Sequence, residues 1–163
     1  MRTFLILVVV AFAVSLVACS SKRTIVTNQG TTTVETNAMH NTVKVSNAQG
    51  TAIIGKGAVD ANALGLPIYP GAITSDTGGM AVKNASQTSD VVSLTTKDAF
   101  GQVYGWYKQR MPTSSEQTHM EVTGGSVASF AVGKLGDKDQ KSVVITESAG
   151  KTTILLTHVT NSG

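Results

Sequence analysis

Only one stretch of the chain carries a helical hydrophobic period. Phe100, Val103, Tyr104, Tyr107 and Met111 recur at i, i+3, i+4, i+7 and i+11, the spacing of a single helix face. Thr95, Thr96, Lys97 and Asp98 offer a shortened capping box ahead of it. Lys108 and Arg110 sit in its last turn, where the helix dipole favours cations, and Pro112 forbids continuation. The spacing predicts a helix over about 97–111. Gly101 and Gly105 each weaken it by about 1 kcal/mol relative to Ala, so packing has to hold it.

Elsewhere the pattern is alternation. Strands are predicted at Gly79–Asn84, Val91–Thr95, Val127–Val132, Ser142–Glu147 and Thr152–Val159, with one more near His119–Val122. Ser148-Ala149-Gly150-Lys151 reads as a hairpin turn, and Gly136–Asp139 joins the preceding pair. Asp60 caps a short helical turn that Gly65 and Pro67 stop, and Pro70-Gly71 reads as a tight turn. The order β-β-α-β-β-β predicts an α+β fold, with one amphipathic helix lying across an antiparallel sheet.

Residues 20 to about 60 have a different texture, rich in Ser, Thr, Asn and Gly and without aromatic residues. Thr27–Val34 and Ser46–Ile53 form a weak repeat, each a turn followed by a Thr-rich β-prone run. Short strands at Thr31–Thr36, Thr42–Ser46 and Thr51–Ile54 are one reading. A solvated tether with a reach of about 35 Å is the other. The chain divides into 1–18, 19–58 and 59–163.

The first of these segments has the layout of a signal peptide. Arg2 precedes an uncharged run from Phe4 to Ala18, which is short for a membrane span of about 20 residues. Leu16-Val17-Ala18-Cys19 then resembles the lipobox of bacterial lipoproteins. The resemblance implies that the Cys19 thiol takes a diacylglyceryl group, that a peptidase cuts between Ala18 and Cys19, and that the new terminus is acylated. Two or three acyl chains anchor stably, at about 0.8 kcal/mol per buried methylene. Ser20 rather than Asp after the cysteine implies the periplasmic face of the outer membrane in an organism with two membranes. The alternatives are a plain signal peptide with an incidental cysteine, or a span that buries it.

Composition narrows the classes further. The 163 residues hold 13 Lys+Arg against 10 Asp+Glu, a scattered excess of +3 that does not point to nucleic acid. A single cysteine excludes a disulfide framework. Gly150-Lys151-Thr152 copies the tail of a P-loop, but Ile145 stands where the first glycine belongs. Asp137-Lys138-Asp139 lacks the remaining ligands of a calcium loop. His40, His119 and His158 lack metal spacing, although folding could bring the last two together on neighbouring strands. No catalytic residue, metal ligand or cofactor emerges, and the expectation is a protein that is not an enzyme.

Two aromatic residues stand apart. Trp106 lies off the helical stripe and Tyr69 sits in the Tyr-Pro-Gly-Ala turn, and both are candidate interaction residues. The run Asp60–Ala72, the aromatic helix and the strand from Lys151 together resemble uncharacterised bacterial exported proteins with a Leu-Gly-x-Pro-x-Tyr-Pro-Gly-Ala segment. That resemblance covers roughly residues 59–159 and brings no activity with it. The expected function is a membrane-anchored envelope lipoprotein acting as a non-enzymatic interaction module. Its partners would be the membrane, through the lipid, and another envelope protein. The alternative is an accessory lipoprotein that binds a small ligand or a metal.

Overall fold

Turn chemistry sets the sheet. Ala149 and Gly150 both adopt positive φ, 52° and 72°, the type I′ geometry that matches the twist of a two-residue hairpin. Gly71 at φ 77° and a hydrogen bond from the Ala72 N–H to the Tyr69 carbonyl (3.1 Å) make Tyr69–Ala72 a type II turn. A computed structural model describes residues 20–28, 30–134 and 136–162. Its strands are β1 (Ser21–Thr27), β2 (Gly30–Asn37), β3 (Thr42–Asn47), β4 (Gly50–Gly55), β5 (Ile73–Lys83) and β6 (Gln87–Thr96). After helix α1 (Phe100–Lys108) come β7 (Glu116–Val122), β8 (Gly125–Val132), β9 (Asp139–Ser148) and β10 (Lys151–Asn161).

All ten strands join one antiparallel sheet in the order β1-β2-β3-β4-β5-β6-β10-β9-β8-β7. The first six meander outward. The α1 segment then carries the chain to the far edge, and β7 to β10 meander back until β10 pairs with β6.

This corrects the α+β expectation. The fold is mainly β, with 60% of the described residues in strands and 11% helical. Two causes account for the difference. Residues 21–55, weighed above as short strands or a coil, are four paired strands rather than a tether. The helix is also nine residues long, not fifteen, running Phe100–Lys108 instead of 97–111. Thr96 Oγ1 accepts the Asp98 N–H (3.2 Å) and Ala99 is extended, so the expected capping box is spent on holding an extended approach. Beyond Lys108 the chain tightens through a bond from the Arg110 N–H to the Tyr107 carbonyl (2.9 Å) before Pro112.

The core lies between α1 and one face of β6, β10, β9 and β8. Register builds it as two rows across the strands. Leu94, Ile154, Ile145 and Ala128 form one, and Val92, Leu156, Val143 and Phe130 form the other. All eight are at most 3% exposed, and Val103 and Tyr107 of α1 close over them at 0%. Each fully buried aliphatic side chain stabilises by about 1.5–3 kcal/mol. No described residue before Leu64 is buried, so β1 to β4 extend the sheet without enlarging the core.

Candidate functional site

The aromatic end of α1 is where the candidate residues meet. Tyr69 lies edge-on to Trp106, with ring centroids 5.4 Å apart and planes at 73°. The Tyr69 hydroxyl donates to Asp98 Oδ2 (2.8 Å), and burial followed by that carboxylate raises its pKa. At 5% exposure Tyr69 serves the interior. Trp106 is half-buried against the core, and its outer face carries the Arg110 guanidinium 4.2 Å from the ring centroid. Arg110 also donates to the Trp106 carbonyl (3.3 Å), so the cation–π contact is braced by its own helix end. Of the pair chosen from sequence, Trp106 keeps a surface that a partner can touch. Ala18 and Cys19, the lipidation and cleavage positions, lie outside the described residues.

Beside Asp98 the sheet end opens into a cleft of about 580 Å³. The Gly71 turn, the segment Thr95–Asp98 and the hairpin turn at Gly150-Lys151 surround it. Lys97 and Lys151 bring two cations to a mostly apolar wall. Gly150-Lys151-Thr152 is thus a hairpin turn leading into a strand: the Thr152 hydroxyl donates to the Asp98 carbonyl (2.7 Å) and binds the cleft floor to β10.

A second polar cluster ties α1 to the edge strand β7. The Tyr104 hydroxyl donates to Glu116 Oε1 (2.7 Å) and accepts from Lys108 Nζ (2.8 Å). The Tyr104 bond, aided by Lys108, holds the Glu116 carboxyl below the usual carboxylate range. The Lys108 ammonium is held correspondingly high by Tyr104 and then Glu116. His119 stacks on Tyr104 at 4.0 Å and reaches Glu121 at 2.9 Å.

His119 and His158 do not meet. β9 and β8 separate their strands, and His158 instead pairs with Asp139 (3.0 Å). Among the described residues no group of three His, Cys, Asp or Glu side chains is placed to hold a metal. None of the described helices is long and apolar enough to cross a membrane. No protein-family model, curated protein or solved structure matches this chain.

Sequence reasoning did not find the cleft or the sheet face turned away from α1. The cleft is assembled from three segments far apart in the chain. The face did leave a signal. In β9 and β10 the residues between the core positions, such as Ser142, Val144, Thr146, Thr153, Leu155 and Thr157, are uncharged as well.

Proposed function

We propose that this chain is a lipid-anchored lipoprotein of the bacterial cell envelope whose β-sheet serves as a non-enzymatic binding module at the membrane. The observation that carries the reading is the position of Leu16-Val17-Ala18-Cys19 relative to the sheet. Cys19 stands two residues before Ser21, where β1 begins. A lipid on Cys19 would therefore hold the β1 edge close to the bilayer, with no long flexible stretch between. Trp106, with Arg110 over its ring, offers the aromatic and cationic chemistry enriched at protein contacts.

The test is Cys19→Ala in cells fed a clickable palmitate. Label and membrane retention in the parent, both lost in the variant, support the reading. A variant that stays in the membrane and sorts normally overturns the anchor. Cross-linking in intact cells, with Trp106→Ala as the control, tests the binding role: a protein adduct should disappear in that variant.

The cleft favours one second reading. Its apolar wall, with Lys97 and Lys151 against the single carboxylate of Asp98, which already accepts from Tyr69, suits a small amphipathic anion. Such a ligand would raise the melting temperature of the parent and not of Lys97→Ala/Lys151→Ala. A flat response to a panel of fatty acids and aromatic carboxylates removes it.

A further inference from the structure

Charge is divided sharply between the two faces of the sheet. Register places Lys22, Glu35, Lys44, Asp90, Lys141 and Glu147 on the face that α1 covers in part. On the opposite face, among the described residues from β2 across to β7, the only ionisable residue in register is Lys151, at the hairpin end of β10; Asp76, in the β5 bulge outside the register, interacts with it. Arg23 is the corresponding charge on β1. The rest of the open face is Thr, Ser, Val and other uncharged residues, with Val45, Ile54, Met80, Val91, Leu155 and Val144 running along it. Of the eleven large apolar side chains exposed among the described residues, eight lie there, Ile54, Met80, Met120 and Leu155 among them.

A sheet bare on both sides stabilises little by itself, and β1 to β4 are bare on both. Something must cover the apolar side. We propose that a second copy of this chain does so, the two open faces packing against each other as a β-sandwich dimer.

Three observations favour a second copy. An isologous contact sets each patch against its own kind, and a face whose in-register charges are confined to Arg23 on the β1 edge and Lys151 at the hairpin end permits this with little repulsion. The area suffices: ten strands at about 4.8 Å spacing, each some 20–36 Å long, give a footprint on the order of 1,000 Å² against the roughly 800 Å² per partner of a standard interface. A bilayer is a poorer match, because interfacial binding draws on Trp, Tyr and basic residues. All six described aromatic residues belong to the other side of the sheet. A two-fold axis running across the strands would also leave both β1 edges on one side. That last point alone rests on the lipid-anchor reading.

The test is cysteine cross-linking of the full chain in its native membrane with a short bismaleimide. Val45→Cys, Ile54→Cys, Val91→Cys and Leu155→Cys probe the open face, and Lys44→Cys and Glu147→Cys probe the other. A band of twice the chain mass is expected from Val91→Cys or its open-face neighbours and not from the other face. Adding Leu155→Lys to Val91→Cys should abolish it, with the melting curve showing that the variant still folds. Equal yields from both faces overturn the proposal, as does the absence of any doubled band. So does an adduct of another mass, which would identify a different protein. Shielding of the open-face cysteines from aqueous maleimide without a dimer would point to the bilayer and overturn it too. A doubled band in the parent chain reports a free Cys19 and counts against lipidation alone. Repeating the series in the Cys19→Ser chain then tests the interface independently.

Discussion

The hydroxyl of Tyr69 donates to the carboxylate of Asp98 at 2.8 Å, joining the turn before β5 to the approach of α1 across 29 residues. The bond fixes Tyr69 under Trp106 and closes one wall of the cleft. Tyr69→Phe keeps the ring packing and removes the bond, which should cost about 1–2 kcal/mol, because the half-buried Asp98 can recover water. Chemical denaturation with Trp106 fluorescence reads both the stability and the local change. A loss above that range would show that Asp98 is not rehydrated.

Backbone crowding separates two glycines with similar angles. Gly78 (φ 70°) sits in the β5 bulge, where a Cβ would lie 2.4 Å from the Gly55 carbonyl carbon and the Lys56 nitrogen. Gly71 (φ 77°) has nothing within 4 Å. Gly71→Ala should cost about 1 kcal/mol from its left-handed geometry, whereas Gly78→Ala should cost several times that because β4 and β5 must part. Thermal melts of the two variants give the ratio, and equal losses would refute the crowding argument.

Alkaline pH should act through the buried phenols. Burial pushes the pKa values of Tyr107 and Tyr69 above their ordinary value of 10.0. Both favour the neutral form in the folded state, so their contribution is complete below about pH 10 and is lost as pH rises above it. Tyrosinate absorbance and circular dichroism recorded together should show these two phenols ionising only as the sheet unfolds. Full ionisation with the native spectrum intact would contradict this.

Acid should loosen the other end of α1. The Glu116 carboxyl, lowered chiefly by the Tyr104 hydroxyl, contributes above its ordinary pKa and loses its contribution as pH falls through the lowered folded value. The protection of β7 amides against hydrogen exchange, taken relative to the intrinsic rate at each pH, should therefore fall in acid for the parent. In Glu116→Gln that protection should be lower at neutral pH and nearly independent of pH.

Core and extension should respond differently to truncation. Ile154 is 0% exposed within the two core rows, and Ile154→Ala should cost about 2–5 kcal/mol. Val26 on β1 is 75% exposed on the charged face, and Val26→Ala should stay within about 0.5 kcal/mol. Urea midpoints compare them, and a large loss at Val26 would mean that β1 is covered from that side.

What the sequence determined by itself is local. The central turns of α1, the Asp60 cap with its bond to the Asn62 N–H (3.0 Å), the Gly71 turn and the 148–151 hairpin depend on residues within a few positions of each other, and each is where the pattern placed it. The cores of the later strands were legible for the same reason, since alternation needs only neighbours. Tertiary structure decided the rest. Asp98 was drawn from a helix cap to Tyr69, shortening α1 at its start. Thr-rich segments that alone suit either coil or strand became β1 to β4 because partner strands were available for backbone pairing. The placement of β10 beside β6, which parts His119 from His158 and leaves one broad face with few charges, rests on contacts more than fifty residues apart. Such contacts are chosen by which whole arrangement buries the most apolar surface, and no local window of sequence contains that sum.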